Sequence, residues 1–210
     1  MNDLEQCIAE FGLTVPKQAL SPLDGYCRLL WNINSTLNLT RHTDFKTFVA
    51  RDLVDTLELS KLIPENHYVL DVGSGGGVPG IVLSILRPDL RVTLTDSVGK
   101  KTHALDQIAE GLGLDVEIYH CRAEDLLQDF RFDTTVARAV GPLRKICVWF
   151  ENCWLNANRL LAIKGPKWQE ELKDANEMKL MRKLEVSKVS EYPIPETEWN
   201  SVILEVKPKK

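Results

Sequence analysis

A chain of 210 residues, 44% hydrophobic and 27% charged, is long enough to bury one substantial core with a small appendage, but not two full domains. Its formal net charge of −4 argues against a protein that coats nucleic acid non-specifically, while leaving room for a local basic face. No run approaches the roughly eighteen apolar residues of a membrane span, and residues 1–14 lack the basic start and apolar centre of a signal peptide, so the expectation is a cytoplasmic protein with no membrane partner.

In chain order, Leu4, Ile8 and Phe11 recur at helical spacing and Gly12 closes that segment. Ser21-Pro22 joins a good cap to a good first-turn residue and predicts a second helix through Leu23, Cys27, Leu30, Trp31 and Asn34. Thr43 or Asp44 caps a third, carrying Phe45, Phe48, Val49, Leu53 and Leu57. Residues 1–63 thus read as a helical cap on a sheet domain spanning 64–210, the two forming one unit. The polar residues Asn38, Thr40, Arg41 and Arg51 suit the mouth of a site, though plain helix termini explain them equally well.

Residues 68–72 are nearly continuous apolar positions, as a parallel strand covered on both faces requires. Glycines follow at once, letting the backbone turn sharply and a ligand approach. Pro79 suits a helix start, Ile81, Val82, Ile85 and Leu86 form an apolar stripe, and Arg87-Pro88-Asp89 stops it. Strands are predicted at 91–94, running into Thr95-Asp96-Ser97, at 116–119, followed by Arg122-Ala123-Glu124-Asp125, at 132–137, running into Arg138, and at 159–163. Helices are predicted at 100–110, with Gly111 and Gly113 marking its end, at 143–155 and at 168–182. The last two strands, 184–192 and 201–206, are separated only by a Pro-rich turn. Alternating strands and helices demand a parallel sheet, and a tightly joined final pair must run antiparallel. The expected fold is α/β: a mostly parallel seven-stranded sheet with an antiparallel C-terminal hairpin and an N-terminal helical cap.

Two nucleotide ligands fit the glycine loop. Gly75-Gly76-Gly77-Val78-Pro79-Gly80 matches the dinucleotide fingerprint G-x-G-x-x-G, with Asp96 about twenty residues on, which leaves an NAD-binding reductase open. Asp71-Val72-Gly73-Ser74-Gly75-Gly76-Gly77 equally matches the acid-x-G-x-G-x-G loop of S-adenosylmethionine-dependent methyltransferases. Three features favour the second. One sheet nearly exhausts the chain, Glu124 and Asp125 follow the third strand where an adenine amino group would lie, and the antiparallel finish is usual for a Rossmann-like class I methyltransferase. Asp96 can accept ribose hydroxyls, and the loop, Gly73 and Gly75 included, can offer N–H groups to the cofactor's carboxylate. The five cysteines are scattered with no Cys-x-x-Cys pair, which suggests neither disulfides nor a metal site.

The combination of motifs resembles the bacterial 16S ribosomal RNA N7-guanine methyltransferases of the small subunit, also called glucose-inhibited division protein B. The resemblance rests on Trp31-Asn32, Asn38-Leu39-Thr40, Arg51 to Leu57, Asp71 to Gly80, Asp96-Ser97 with Lys100-Lys101, Arg122-Ala123-Glu124, Phe132-Asp133, Ala137 to Val140 and Lys164-Gly165. Departures are Arg51-Asp52 for the family's Arg-His pair, Val78 for an aromatic, and Asp55-Thr56 for Asp-Ser. The resemblance implies cofactor contacts from Gly73, Val78, Ala123, Glu124 and Arg138, with Asp96 on the ribose and Asn38, Lys100 and Lys164 near the substrate. It implies S-adenosyl-L-methionine as cofactor and 16S rRNA or the small ribosomal subunit as partner of a monomeric enzyme. A small-molecule methyltransferase is the alternative.

Guanine N7 carries a free lone pair, so no catalytic base is required. The site must align nucleophile, methyl and sulfur, which can supply about 7 to 11 kcal/mol of the barrier. No His-carboxylate constellation is evident in the sequence, and Cys121 reads as an inert thiol. Arg138 is expected to orient cofactor or guanine. Two basic clusters, one with Arg41, His42, Lys46 and Arg51 and one with Lys164, Lys167, Lys207, Lys209 and Lys210, are candidates to meet RNA, with Trp168 as a candidate stacking platform.

Overall fold

In the computed structural model, which describes residues 3–209, seven strands form one sheet in the order β3-β2-β1-β4-β5-β7-β6. They are β1 (Tyr68–Val72), β2 (Arg91–Asp96), β3 (Glu117–His120), β4 (Thr134–Arg138), β5 (Leu160–Lys164), β6 (Leu184–Pro193) and β7 (Asn200–Pro208). β1 to β5 are parallel, and β7 lies antiparallel between β5 and β6. The expected mostly parallel sheet with its antiparallel hairpin is what folds. After β3 the chain returns to place β4 on the other side of β1, and a reversal of this kind opens a crevice at the carboxyl ends of the strands.

Alternation along the strands divides the core between two faces. Val69, Val92, Leu94, Val136, Leu161 and Ile163 face helices α1 (Asp3–Glu10), α2 (Lys17–Leu37), α3 (Phe45–Thr47), α4 (Val54–Ser60), α5 (Gly80–Leu86) and α6 (Gly99–Leu112). Leu70, Val72, Ala137, Leu160 and Ala162 face α7 (Ala123–Asp129), α8 (Leu143–Trp149), α9 (Trp154–Ala157) and α10 (Trp168–Asn176). Residues of the N-terminal helices, Leu4, Leu23, Tyr26, Phe48 and Leu53, sit in the same apolar cluster as Ile81, Leu83 and Leu105. Among the described residues no helix is long and apolar enough to cross a membrane.

Local differences from the expected elements have physical causes. α2 begins at Lys17, after Pro16 at φ −56°, so Pro22 lies inside the helix and Ala19 joins the buried stripe ahead of Leu23. Asp44 caps α3 by accepting the Thr47 N–H at 2.7 Å, but α3 passes into α4 through a π-helical segment, Phe48–Leu53. Only Gly113, at φ +63°, ends α6, with Gly111 inside its last turn. The predicted helix over 143–155 breaks into α8 and α9 at a turn where Phe150 packs edge-on to Trp154 with centroids 5.5 Å apart. The predicted helix over 168–182 stops at Asn176 and resumes as a 3-10 turn, Lys179–Lys183. A helix not expected at all, α7, puts Glu124 and Asp125 in its first turn, where the dipole favours carboxylates, rather than at a strand end.

The C-terminal basic cluster is split by the hairpin. Val206 pairs with Leu160 and Val202 with Lys164, so Lys207 and Lys209 lie at the opposite edge of the sheet from the crevice. They are engaged there by Glu205 and by the Arg182 carbonyl, each at 3.0 Å, and Lys210 lies outside the described residues.

Asp71 is fully buried between β1 and α5. Its Oδ2 accepts the Gly80 N–H at 2.9 Å, while its Oδ1 has no hydrogen-bond partner among the described residues. Burial pushes this carboxyl up to about 7, against the opposing pull of the nearby Ser74 hydroxyl, the Gly80 N–H and Arg138. The folded chain therefore holds a proton that the unfolded chain releases near pH 4, and stability falls as pH rises from there to about 7. Asp71→Asn removes this dependence. Urea unfolding across that window is expected to show wild type losing up to about 1.4 kcal/mol per pH unit relative to the variant, whereas parallel pH profiles would contradict the burial argument.

Candidate active site

Three contiguous clefts open at the carboxyl edge of the parallel strands. A strand-end cleft is lined by Gly73, Asp96, Ser97, Val98, Lys101, Ala123, Glu124, Val140 and Trp149. A loop cleft between the glycine loop and the N-terminal helices is lined by Tyr26, Arg41, His42, Arg51, Asp52, Gly73, Gly75, Val78, Lys101 and Arg138. A hairpin cleft of about 630 Å³, within the range of small-molecule sites, is lined by Arg51, Asp55, Arg138, Lys164, Glu171, Ile194, Trp199 and Ser201. Ala139 lines all three. Its φ of +56° is left-handed, a conformation that costs a non-glycine residue on the order of 1–3 kcal/mol and concentrates at functional sites.

The glycine loop forms the wall between the first two clefts. Gly73 and Gly75 have φ of +67° and +59°, and a Cβ on Gly73 would stand 2.5 Å from the Val140 Cγ1 and force that wall to shift. Much of the loop's hydrogen-bonding capacity is spent within the protein. Ser74 N–H donates to the Thr95 carbonyl at 2.9 Å, Gly77 N–H to Ser74 at 2.8 Å, Gly75 N–H to Asp96 at 3.0 Å, and the Gly76 carbonyl accepts the buried Tyr26 hydroxyl at 2.8 Å. With Gly80 N–H given to Asp71, the start of α5 offers less to an anion than the sequence suggests. Asp96 accepts Gly75 N–H at 3.0 Å and Val98 N–H at 2.9 Å, with Lys101 Nζ 3.7 Å away. A carboxylate has about four lone-pair sites, so acceptor capacity remains toward the strand-end cleft.

Arg138 ends β4 at the junction of the loop and hairpin clefts. Its Nη2 donates to Asp52 Oδ1 at 2.6 Å and its Nε pairs with Asp55 Oδ2 at 2.8 Å. His42 Nε2 lies 2.8 Å from Asp52 Oδ2, and the Tyr192 hydroxyl donates to Asp55 Oδ1 at 2.8 Å. Asp52 and Asp55 are 4% and 6% exposed, so their charges depend on these partners rather than on water. Burial works to raise the Asp52 carboxyl, but Arg138 and His42 together hold it below its ordinary value. For Asp55 burial prevails over Arg138 and Tyr192, and its carboxyl is raised. Burial opposes the charge on Arg138, and its two carboxylates overcome that and raise it. A His–carboxylate pair is thus present after all, and the guanidinium expected to orient a ligand is already engaged on two sides.

The other expected residues divide. Gly73, Asp96, Ala123 and Glu124 meet in the strand-end cleft, and Gly75 and Val78 line the loop cleft. Lys164 lines the hairpin cleft, but it is buried and donates to the Gly141 carbonyl and to Glu171, both at 2.7 Å. Asn38 is exposed in the left-handed C-cap of α2, and Lys100 is exposed on α6. Neither lines any of the three clefts. Lys101 does, and the sequence carried its signal: 101, 104, 105 and 108 continue one helical stripe, from which Lys100 departs. Trp168 is partly buried with Lys188 Nζ 5.5 Å over its ring, so that face is already covered. Burial raises the Cys121 thiol, which leaves it a poor nucleophile.

The profile of the family described as rRNA small subunit methyltransferase G matches residues 19–198. The chain belongs to that family. A ribosomal RNA small subunit methyltransferase G of Rhodopirellula baltica is 46% identical over 192 residues, covering 91% of this chain and 83% of that protein. Its counterpart in Halorhodospira halophila is 39% identical over 175 residues, 83% of each chain. The crystal structure of a ribosomal protein L11 methylase from Lactobacillus delbrueckii subsp. bulgaricus superposes with a TM-score of 0.56 at 14% identity, over 80% of this chain and 81% of that one, which is a likeness of fold. Membership in the small subunit methyltransferase G family makes the chain a methyltransferase and disfavours the reductase reading of its glycine loop.

In this methyltransferase, removing Arg138 would leave Asp52 with His42 alone and Asp55 with the Tyr192 hydroxyl alone, two buried carboxylates stripped of their shared cation. Arg138→Ala is therefore expected to cost about 3–5 kcal/mol of stability in denaturant unfolding, rather than leave the fold intact. A loss under about 1 kcal/mol would show that the network is not needed to hold the site together.

Proposed function

We propose that this chain transfers the methyl group of S-adenosyl-L-methionine to N7 of a guanine in 16S rRNA of the small ribosomal subunit. The observation that carries this reading is the meeting of three clefts at one strained residue, Ala139, at the end of β4. A methyl transferase needs a site for the donor nucleoside, a site for the donor's amino-acid end and a site for the acceptor, all sharing one point.

The donor set fits the cofactor. Asp96 keeps acceptor capacity for ribose hydroxyls in the strand-end cleft, with Ala123 and Glu124 beside it for the base. Gly73, Gly75 and Val78 lead into the loop cleft, where the amino-acid end would pass Lys101. When bound, S-adenosylmethionine supplies an electrophilic sulfonium methyl. The acceptor enters by the hairpin cleft, and guanine N7, whose lone pair needs no deprotonation, asks of the protein only placement and exclusion of water. His42 is committed to Asp52 and Asp52 to Arg138, and Arg138 acts by positioning, holding the N-terminal helices against β4 at the point of transfer.

RNA would meet a basic rim despite the acidic whole. Arg41 and Arg51 are exposed beside the clefts and have no acidic partner among the described residues, which leaves both for phosphates. Purified protein, incubated with S-adenosylmethionine and small-subunit particles lacking this modification, is expected to convert one guanine of 16S rRNA to N7-methylguanine, read by mass spectrometry of nuclease digests. Methylation of small molecules alone, with rRNA left unchanged, would contradict the proposal.

A further inference from the structure

The hairpin cleft has one aromatic residue on its rim that the reading above leaves unused. Trp199, 44% exposed, closes the turn between β6 and β7 and lines this cleft. The other exposed aromatic rings are occupied: Tyr68 lies under the Arg91 guanidinium at 5.0 Å, and Phe130 against Tyr119 at 6.0 Å. Trp199 has no aromatic or cation–π partner among the described residues.

The turn that carries it is braced. Thr197 Oγ1 donates to the Ile194 carbonyl at 2.7 Å and to the Trp199 carbonyl at 3.2 Å, and Ile194 N–H donates to the Trp199 carbonyl at 3.3 Å. Ile194 is buried in the main core, and Glu196 forms an ion pair with Lys46 of α3. The ring is thus presented to the cleft from a hydrogen-bonded turn, and a tryptophan offers a large flat apolar face there. Arg51, which has no acidic partner among the described residues, lines the same cleft, so a ring face, a free positive charge and open volume come together.

We propose that Trp199 is a stacking platform for the unpaired RNA base that enters the hairpin cleft. The inference rests on the function proposed above and adds how the acceptor base is held. Bases splayed out of single-stranded RNA are commonly bound on aromatic faces, and each such stack is lost on substitution by alanine at a cost of roughly 5- to 150-fold in affinity.

The test compares wild type, Trp199→Ala and Trp199→Phe on small-subunit particles, measuring KM for RNA, kcat, N7-methylguanine formed, S-adenosylmethionine affinity by calorimetry, and melting temperature. The expected result is a KM for RNA raised by roughly 5- to 150-fold in Trp199→Ala and largely restored in Trp199→Phe, with cofactor affinity and melting unchanged. If wild type methylates rRNA and Trp199→Ala matches its KM, the platform is overturned while the enzyme's function stands. If cofactor affinity falls with the KM, Trp199 acts through the fold and the platform is again overturned. If wild type forms no N7-methylguanine, both readings fall together.

Discussion

One guanidinium, held between two buried carboxylates, fixes the relation between the N-terminal helices and the sheet. Arg138 reaches Asp52 and Asp55 at 2.6 and 2.8 Å, and neither acid has water to fall back on. A buried ion pair of this kind adds little net stability over an apolar replacement, but it is unforgiving of partial loss. Its value here lies in specificity of placement. Asp52 and Asp55 sit three apart along one helical face, where the π-helical segment passes into α4, and Tyr192 of β6 closes the far side. Ala139 follows Arg138 directly, so the clamp also fixes the left-handed backbone at which the clefts meet.

The same network bears on a departure from the family pattern. Where the resemblance implies Arg-His, this chain has Arg51-Asp52, and Asp52 is the acid that takes both Arg138 and His42. A carboxylate at 52 without cationic partners would be strongly disfavoured at 4% exposure. Asp52, His42 and Arg138 therefore have to be considered as one unit.

The sheet was readable because its signals are local. β1 could be placed to the residue from one apolar run ending in glycines, and the antiparallel finish from two strands with no room for a helix between them. Helix breaks were harder to read. The stop in α8 is set by Phe150 and Trp154 finding each other, and α7 is too short to show more than one turn of periodicity. In the site, Gly73 and Asp96 could be named because motif spacing ties them to strand ends, and Glu124 because it follows β3 closely, in the first turn of α7. His42 with Asp52, and Lys164 with Glu171, are pairs made by tertiary folding, and neither partner announces the other in sequence. Trp199 was hidden because nothing in a Pro-rich turn says which way its ring faces. Trp168 is the more conspicuous ring in sequence, close to Lys164 and Lys167, but in space Lys188 covers it.

Acidic composition and an RNA substrate are compatible once charge is considered by location. Lys207 and Lys209 stand at the far edge of the sheet, whereas Arg41, Arg51 and Lys101 surround the clefts. The most direct test of convergence at Ala139 is a crystal structure with S-adenosylhomocysteine and a short guanine-containing RNA bound together. The account predicts the nucleoside beside Asp96, the sulfur next to Ala139 and the base in the hairpin cleft. A nucleoside bound elsewhere, or a base that reaches the sulfur from another side, would contradict it.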